Sequence, residues 1–147
     1  MKKEENLQIA ICQWIRWTYP EIIFQSDIAS GLYLTIGQAV KAQKMRSKRG
    51  NPDIFIAEPK PFKNTIGFEY CGLFLELKKE GTKIIRTEDA RKVLKGEFKL
   101  RKAGDYWDNH IEEQAQLMEV LTKKGYFCSF GIGFDDSIKI ISDYLNK

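Results

Sequence analysis

Apolar residues recur at helical spacing near the start of the chain. Leu7, Ile11, Trp14 and Ile15 form one stripe, while Glu5, Gln8 and Cys12 share another face. This pattern predicts a helix over residues 4–17, ended by Tyr19-Pro20 because proline disfavours helical backbone in the residue before it. Residues 22–25 read as a short strand, and Ser30-Gly31 and Gly37 as turns. Between these turns and Arg49 the pattern predicts a second helix, with Lys41, Lys44 and Lys48 on one side.

Period two takes over further along. Residues 53–57 form a short apolar run after the turn signal Arg49-Gly50-Asn51-Pro52, and residues 72–78 form a second strand. A loop containing Pro59, Pro61, Asn64 and Gly67 joins the two. Residues 79–105 have weak periodicity and many charges, and read as a flexible or partly helical excursion. A helix over 110–124 follows, with Gln114, Leu117 and Leu121 on one face and Gly125 as its stop. Residues 126–132 read as a strand, and Asp135 or Asp136 as the cap of a last helix carrying Ile138, Ile141 and Leu145. Strands enclosed by helices at both ends predict an α/β fold, a mixed central sheet flanked by helices. The length of 147 residues suits one domain spanning 1–147.

Alternation also places the chemistry. Glu76 and Lys78 point to one face of their strand while Leu73, Leu75 and Leu77 point to the other. If the strands at 53–57 and 72–78 pair antiparallel, Asp53 at the start of the first lies beside Glu76 and Lys78 near the end of the second. Two adjacent carboxylates repel, and a divalent cation relieves that repulsion. Hard oxygen ligands suit Mg²⁺ or Mn²⁺, which act on phosphate esters by polarising them and activating water. A lysine beside such a pair can position the water or stabilise charge on the phosphate.

Charge distribution adds a partner class. The net charge is only +4, but residues 28–52 hold five basic side chains (Lys41, Lys44, Arg46, Lys48 and Arg49) and no acidic one. Residues 79–105 hold nine basic and five acidic, a surplus of four. Clustered cations suit a polyanion, with Lys41, Lys44, Lys48 and Arg49 as candidate nucleic-acid contacts. Other classes are disfavoured. His110 is the single histidine, which leaves little for a histidine–metal nuclease or a serine hydrolase. Neither GxxxxGK[ST] nor GxGxxG occurs. Cys12, Cys71 and Cys128 lack zinc-ligand spacing and read as buried free thiols. No apolar run is long enough to span a bilayer, and the start, MKKEENLQ, lacks the apolar core of a secretory signal, so the cytosol is the expected compartment.

Asn51-Pro52-Asp53 followed by Glu76-Leu77-Lys78 resembles the PD-(D/E)XK nuclease signature. The wider order resembles the VRR-NUC branch of that superfamily: Glu5-Asn6-Leu7-Gln8 on a helix, a basic stretch ending in Arg49-Gly50-Asn51-Pro52-Asp53, Gly72 to Lys78, Glu113-Gln114 on a helix, then Gly125-Tyr126. The resemblance spans roughly Glu5 to Leu145. It implies a restriction-endonuclease-like core in which Asp53 and Glu76 ligate Mg²⁺ or Mn²⁺ and Lys78 is the catalytic lysine. It further implies that Gln114 orients Lys78, water or phosphate, and that Glu5 is the acid of the N-terminal helix, binding metal directly or through water. Stand-alone members of this size are often phage or prophage proteins, and some resemble homodimeric Holliday-junction resolvases. The expected function is therefore an endonuclease acting on branched or structured DNA. The competing readings are a catalytically inactive nucleic-acid-binding module and a restriction-type nuclease that cuts linear duplex.

Overall fold

The computed structural model describes residues 2–27, 34–47 and 51–146. Helix α1 (Lys2–Thr18) leads into β1 (Phe24–Ser26), α2 (Ile36–Lys44) and β2 (Ile54–Ile56). A small hairpin of β3 (Lys60–Pro61) and β4 (Phe68–Tyr70) precedes β5 (Leu73–Lys78). Then come α3 (Asn109–Lys123), β6 (Phe127–Ile132) and α4 (Gly133–Leu145). The main sheet runs β1-β2-β5-β6. β2 pairs antiparallel with both β1 and β5, and β6 pairs parallel with β5, so the sheet is mixed.

Each face of this sheet has its own cover. Ile54 and Ile56 of β2 and Leu73, Leu75 and Leu77 of β5 bury against Ile11 and Ile15 of α1 and Ile141, Tyr144 and Leu145 of α4. Each such fully buried aliphatic side chain contributes roughly 1.5–3 kcal/mol. The opposite parity, Phe55 on β2 and Phe74, Glu76 and Lys78 on β5, faces α3. There the rings of Phe55 and Phe74 stack at 4.5 Å, with Tyr126 edge-on to both. Ile111, Gln114 and Met118 are the buried residues of α3. The sheet thus buries a leucine–isoleucine core on one side and delivers two polar β5 side chains to the other.

Gly72 is where β5 enters the sheet under its neighbour. A Cβ there would stand 2.8 Å from the Phe55 ring and 2.9 Å from the Ile56 carbonyl oxygen, which cannot move without breaking the β2 ladder. Gly72→Ala is expected to lower stability by about 1–3 kcal/mol, read from chemical denaturation. An unchanged midpoint would show that β2 and β5 are not packed this closely.

Several sequence expectations shift. The first strand runs over Phe24–Ser26 rather than 22–25. Gly37 is not a turn but the second residue of α2, because Thr35 and Gln38 close a capping box that starts the helix despite the glycine. Ser30-Gly31 lies outside the described residues. The loop after β2 contains the β3–β4 hairpin. α4 starts at Gly133, two residues before Asp135. Gly133, at φ 79°, lets the chain turn from β6 directly into helix, and Asp136 accepts from the Ile132 N–H instead of capping from outside. The excursion after β5 contains no helix. Its two limbs meet in an isolated bridge between Ile85 and Tyr106. The cysteines are free, but none is fully buried: Cys12 and Cys128 are half-buried and Cys71 is exposed. Among the described residues no helix is long and apolar enough to cross a membrane.

Candidate active site

The antiparallel register that pairs Ile54 with Leu75 and Phe55 with Phe74 carries Asp53, one step further, opposite Glu76. Asp53 Oδ2 accepts from the Leu77 backbone N–H at 2.8 Å, which fixes the carboxylate at the point where β2 begins. Asn51-Pro52 deliver it there, since proline commits the preceding residue to extended backbone. Lys78 Nζ lies 3.9 Å from Glu76 Oε1, a loose ion pair. The contact is tighter from α3, where Gln114 Nε2 donates to Glu76 Oε1 at 2.6 Å. Asp53, Glu76, Lys78 and Gln114 are each between 5% and 8% exposed. Four residues separated by up to 61 positions therefore converge in one buried polar cluster.

Burial makes this cluster electrostatically tense. Removal from water, the largest cause, and the negative charge of Asp53 together raise the Glu76 pKa from 4.5 to about 9, against the opposing pull of Lys78. A hydrogen bond with Asp53 also favours the protonated form. At neutral pH the carboxylate pair accordingly holds a proton, the usual solution when two like charges share a dry site.

The donor set fits a divalent cation. Two carboxylates meet, and the Gln114 carbonyl oxygen Oε1 is buried with no hydrogen-bond partner among the described residues, leaving an acceptor beside Glu76 for water or a cation. Among the described residues no group of three histidine, cysteine or acidic ligands is assembled. Two carboxylates suit Mg²⁺, which keeps several of its waters and needs few protein ligands, better than a caged metal such as zinc.

The other expected residues fall as follows. Glu5 is half-buried on α1, while the α1 carboxylate whose charge is felt at Glu76 is its neighbour Glu4. Glu4 precedes Gln8, Ile11 and Ile15 by four, seven and eleven residues, which puts it at the exposed end of the stripe that α1 buries. Gln8 on that face donates to Ser26 Oγ and to the Asp27 carbonyl, tying α1 to the end of β1. Lys41 and Lys44 are exposed in the last turn of α2. Lys48 and Arg49 lie outside the described residues. Arg46, which the sequence marked only as one of the basic residues of 28–52, donates from Nη2 to both Asp27 carboxylate oxygens at 3.0 Å and ties the end of α2 to the end of β1. A cleft of about 600 Å³ opens there, between Arg46 and Met45 on one side and Phe55, Phe74 and Leu117 on the other, with Asn51-Pro52 in its wall.

No protein-family model matches the sequence, and none of the curated proteins compared with it does. Among solved structures the chain is similar to one described as a "VRR_NUC domain protein", with a TM-score of 0.56 and 20% sequence identity. The likeness covers 97% of this chain and 88% of the other, so it takes in both the sheet and the helices around it. The chain therefore shares the fold of that VRR_NUC domain protein, a mixed α/β sheet covered by helices.

Proposed function

We propose that the chain is a nuclease of the VRR-NUC type that uses Mg²⁺ or Mn²⁺ to hydrolyse phosphodiester bonds in DNA. The observation that carries this reading is the buried meeting of Asp53 and Glu76 beside Lys78, with Glu76 pushed up to about 9. A structural ion pair would have no need of a second acid, whereas a cation site does. The name of the structural neighbour points the same way.

A cation held by Asp53 and Glu76 supplies positive charge against the phosphodiester and the acidity that makes water a nucleophile. The chain's own residues do the rest. Asp53 is held in place by the Leu77 N–H, and Glu76 by the Gln114 amide, so both carboxylates are preorganised. Lys78 offers ammonium donors to a phosphate oxygen or to the attacking water, where charge develops in the transition state. The low dielectric around the cluster strengthens each of these terms. Lys41 and Lys44, exposed on α2, suit contacts to the DNA backbone, joined in this reading by Lys48 and Arg49. Glu5 stays the proposed acid of α1 on grounds of resemblance, and Glu4 stands beside it on grounds of charge.

Branched or structured DNA is the proposed substrate and a homodimer the proposed assembly, since two-fold symmetry places two sites on the matching strands of a four-way junction. Purified protein is incubated with Mg²⁺ or Mn²⁺ and linear, flap or four-way-junction DNA, and the products are resolved on a gel. Metal-dependent cutting of flap or junction in preference to linear duplex is expected. Defined cuts in linear duplex would move the reading to a restriction-type enzyme. Binding without cutting under either metal would leave a nucleic-acid-binding module.

A further inference from the structure

The arm between β5 and α3 leaves the sheet directly after Lys78 and returns at Asp108, six residues before Gln114, the last of the clustered side chains. It is an ordered structure held by polar contacts. The limbs at 84–90 and 101–107 run together through backbone bonds from Arg86 to Asp105, from Gly104 to Arg86, from Trp107 to Ile84 and from Ala90 to Arg101. Arg86 lies over the Trp107 ring at 4.3 Å. The tip folds back onto the first residue of α3: Asn109 donates to the Gly96 carbonyl and accepts from the Phe98 N–H, and its own N–H donates to Glu97. Arg101, 2% exposed, binds Asn109 and reaches Glu112 at 3.0 Å, locking the tip to α3.

What this scaffold presents is unusual. Besides the buried Arg101, residues 91–102 hold five exposed basic side chains and one acid, Glu97, whose carboxylate is occupied by Asn109. Interleaved with them, Val93, Leu94, Phe98 and Leu100 remain exposed, and the Phe98 ring is 79% exposed although its backbone is fixed. A lone exposed apolar residue needs no explanation, but an exposed aromatic among cations on a rigid tip matches the surface that binds unpaired nucleotides. There the phosphates meet lysines and the base stacks on a ring. Asn109, which anchors the tip, stands about 7.5 Å along α3 from Gln114 and about 140° around it, so the tip occupies a side of the helix away from the cluster.

We propose that the tip of this arm is a binding site for unpaired nucleotides away from the scissile bond, with Phe98 stacking on a base and Lys92 and Lys95 contacting phosphates. The inference rests on the nuclease reading for its substrate. It deepens that reading by assigning recognition of single-stranded character to a surface separate from the cluster. A second copy of the chain is the rival occupant, and the density of like charge on the tip disfavours it.

The test reads binding rather than cutting. Fluorescence anisotropy in chelator, in an Asp53→Asn background, compares a forked duplex with the fully paired duplex of the same sequence. Phe98→Ala is expected to weaken fork binding about tenfold, to leave paired-duplex binding within about twofold, and to be rescued by Phe98→Trp. Its melting temperature stays at that of the parent, because the ring makes little buried contact. Lys92→Gln with Lys95→Gln weakens the fork complex and flattens its salt dependence. Fork binding untouched by Phe98→Ala, equal loss on both probes, or a dimer that Phe98→Ala dissociates in sedimentation would each overturn the proposal. Failure of the nuclease reading shows elsewhere, as wild-type protein that never cuts with Mn²⁺ while its fork preference persists.

Discussion

Asp53→Asn, Glu76→Gln and Lys78→Ala are each expected to abolish metal-dependent cleavage, lowering the single-turnover rate by roughly a thousandfold or more while DNA binding persists. The three act on one centre, so combining them should cost little beyond the worst single change. Asp53→Asn keeps a side-chain oxygen for the Leu77 N–H, so the β2–β5 geometry survives and the loss is chemical. Glu76→Gln keeps the size of the side chain in contact with Gln114. Lys78→Ala removes the buried side chain that lies 3.9 Å from Glu76. Cleavage at near wild-type rate by any of the three would reject the assignment of that residue.

The second large effect concerns the metal-free protein. In the unfolded chain Glu76 titrates near 4.5, and in the fold near 9. The folded protein therefore holds a proton that the unfolded chain gives up. The stability linked to that proton is complete below about pH 4.5 and is lost as the pH climbs toward 9. Thermal melts in EDTA should fall across this window for the wild type. Glu76→Gln, which carries no titratable proton, should fall less and be the more stable protein at pH 8, by up to about 5 kcal/mol. Mn²⁺ should restore the wild type at high pH, because a cation then does for the carboxylates what the proton did. Parallel pH profiles for the two proteins would show that the Glu76 environment is not desolvated in solution.

Legibility in the sequence followed periodicity. β5 was readable because Leu73, Leu75 and Leu77 alternate with Glu76 and Lys78, and its antiparallel partner because Asp53 opens a short apolar run after a proline turn. Those two readings alone bring together three of the four clustered side chains. Gln114 needed the resemblance, since a glutamine on a helix announces nothing by itself. The misplacements have local causes. Gly37 reads as a turn until Thr35 and Gln38 are seen as a capping box, and α4 begins early because a glycine at φ 79° needs no connecting loop. The arm could not be read at all. Its order comes from Arg86, Asp89, Arg101 and Asn109 bonding across eight to twenty-one residues, and such contacts leave no period in the sequence.

The most direct measurement is calorimetric titration of Mn²⁺ into the wild type, Asp53→Asn and Glu76→Gln at neutral pH, in two buffers of different ionisation enthalpy. Expected are saturable binding by the wild type with release of a proton from the carboxylate pair, and loss of that binding in both variants. Equal isotherms for all three proteins, or no binding by the wild type, would contradict a cation site at Asp53 and Glu76.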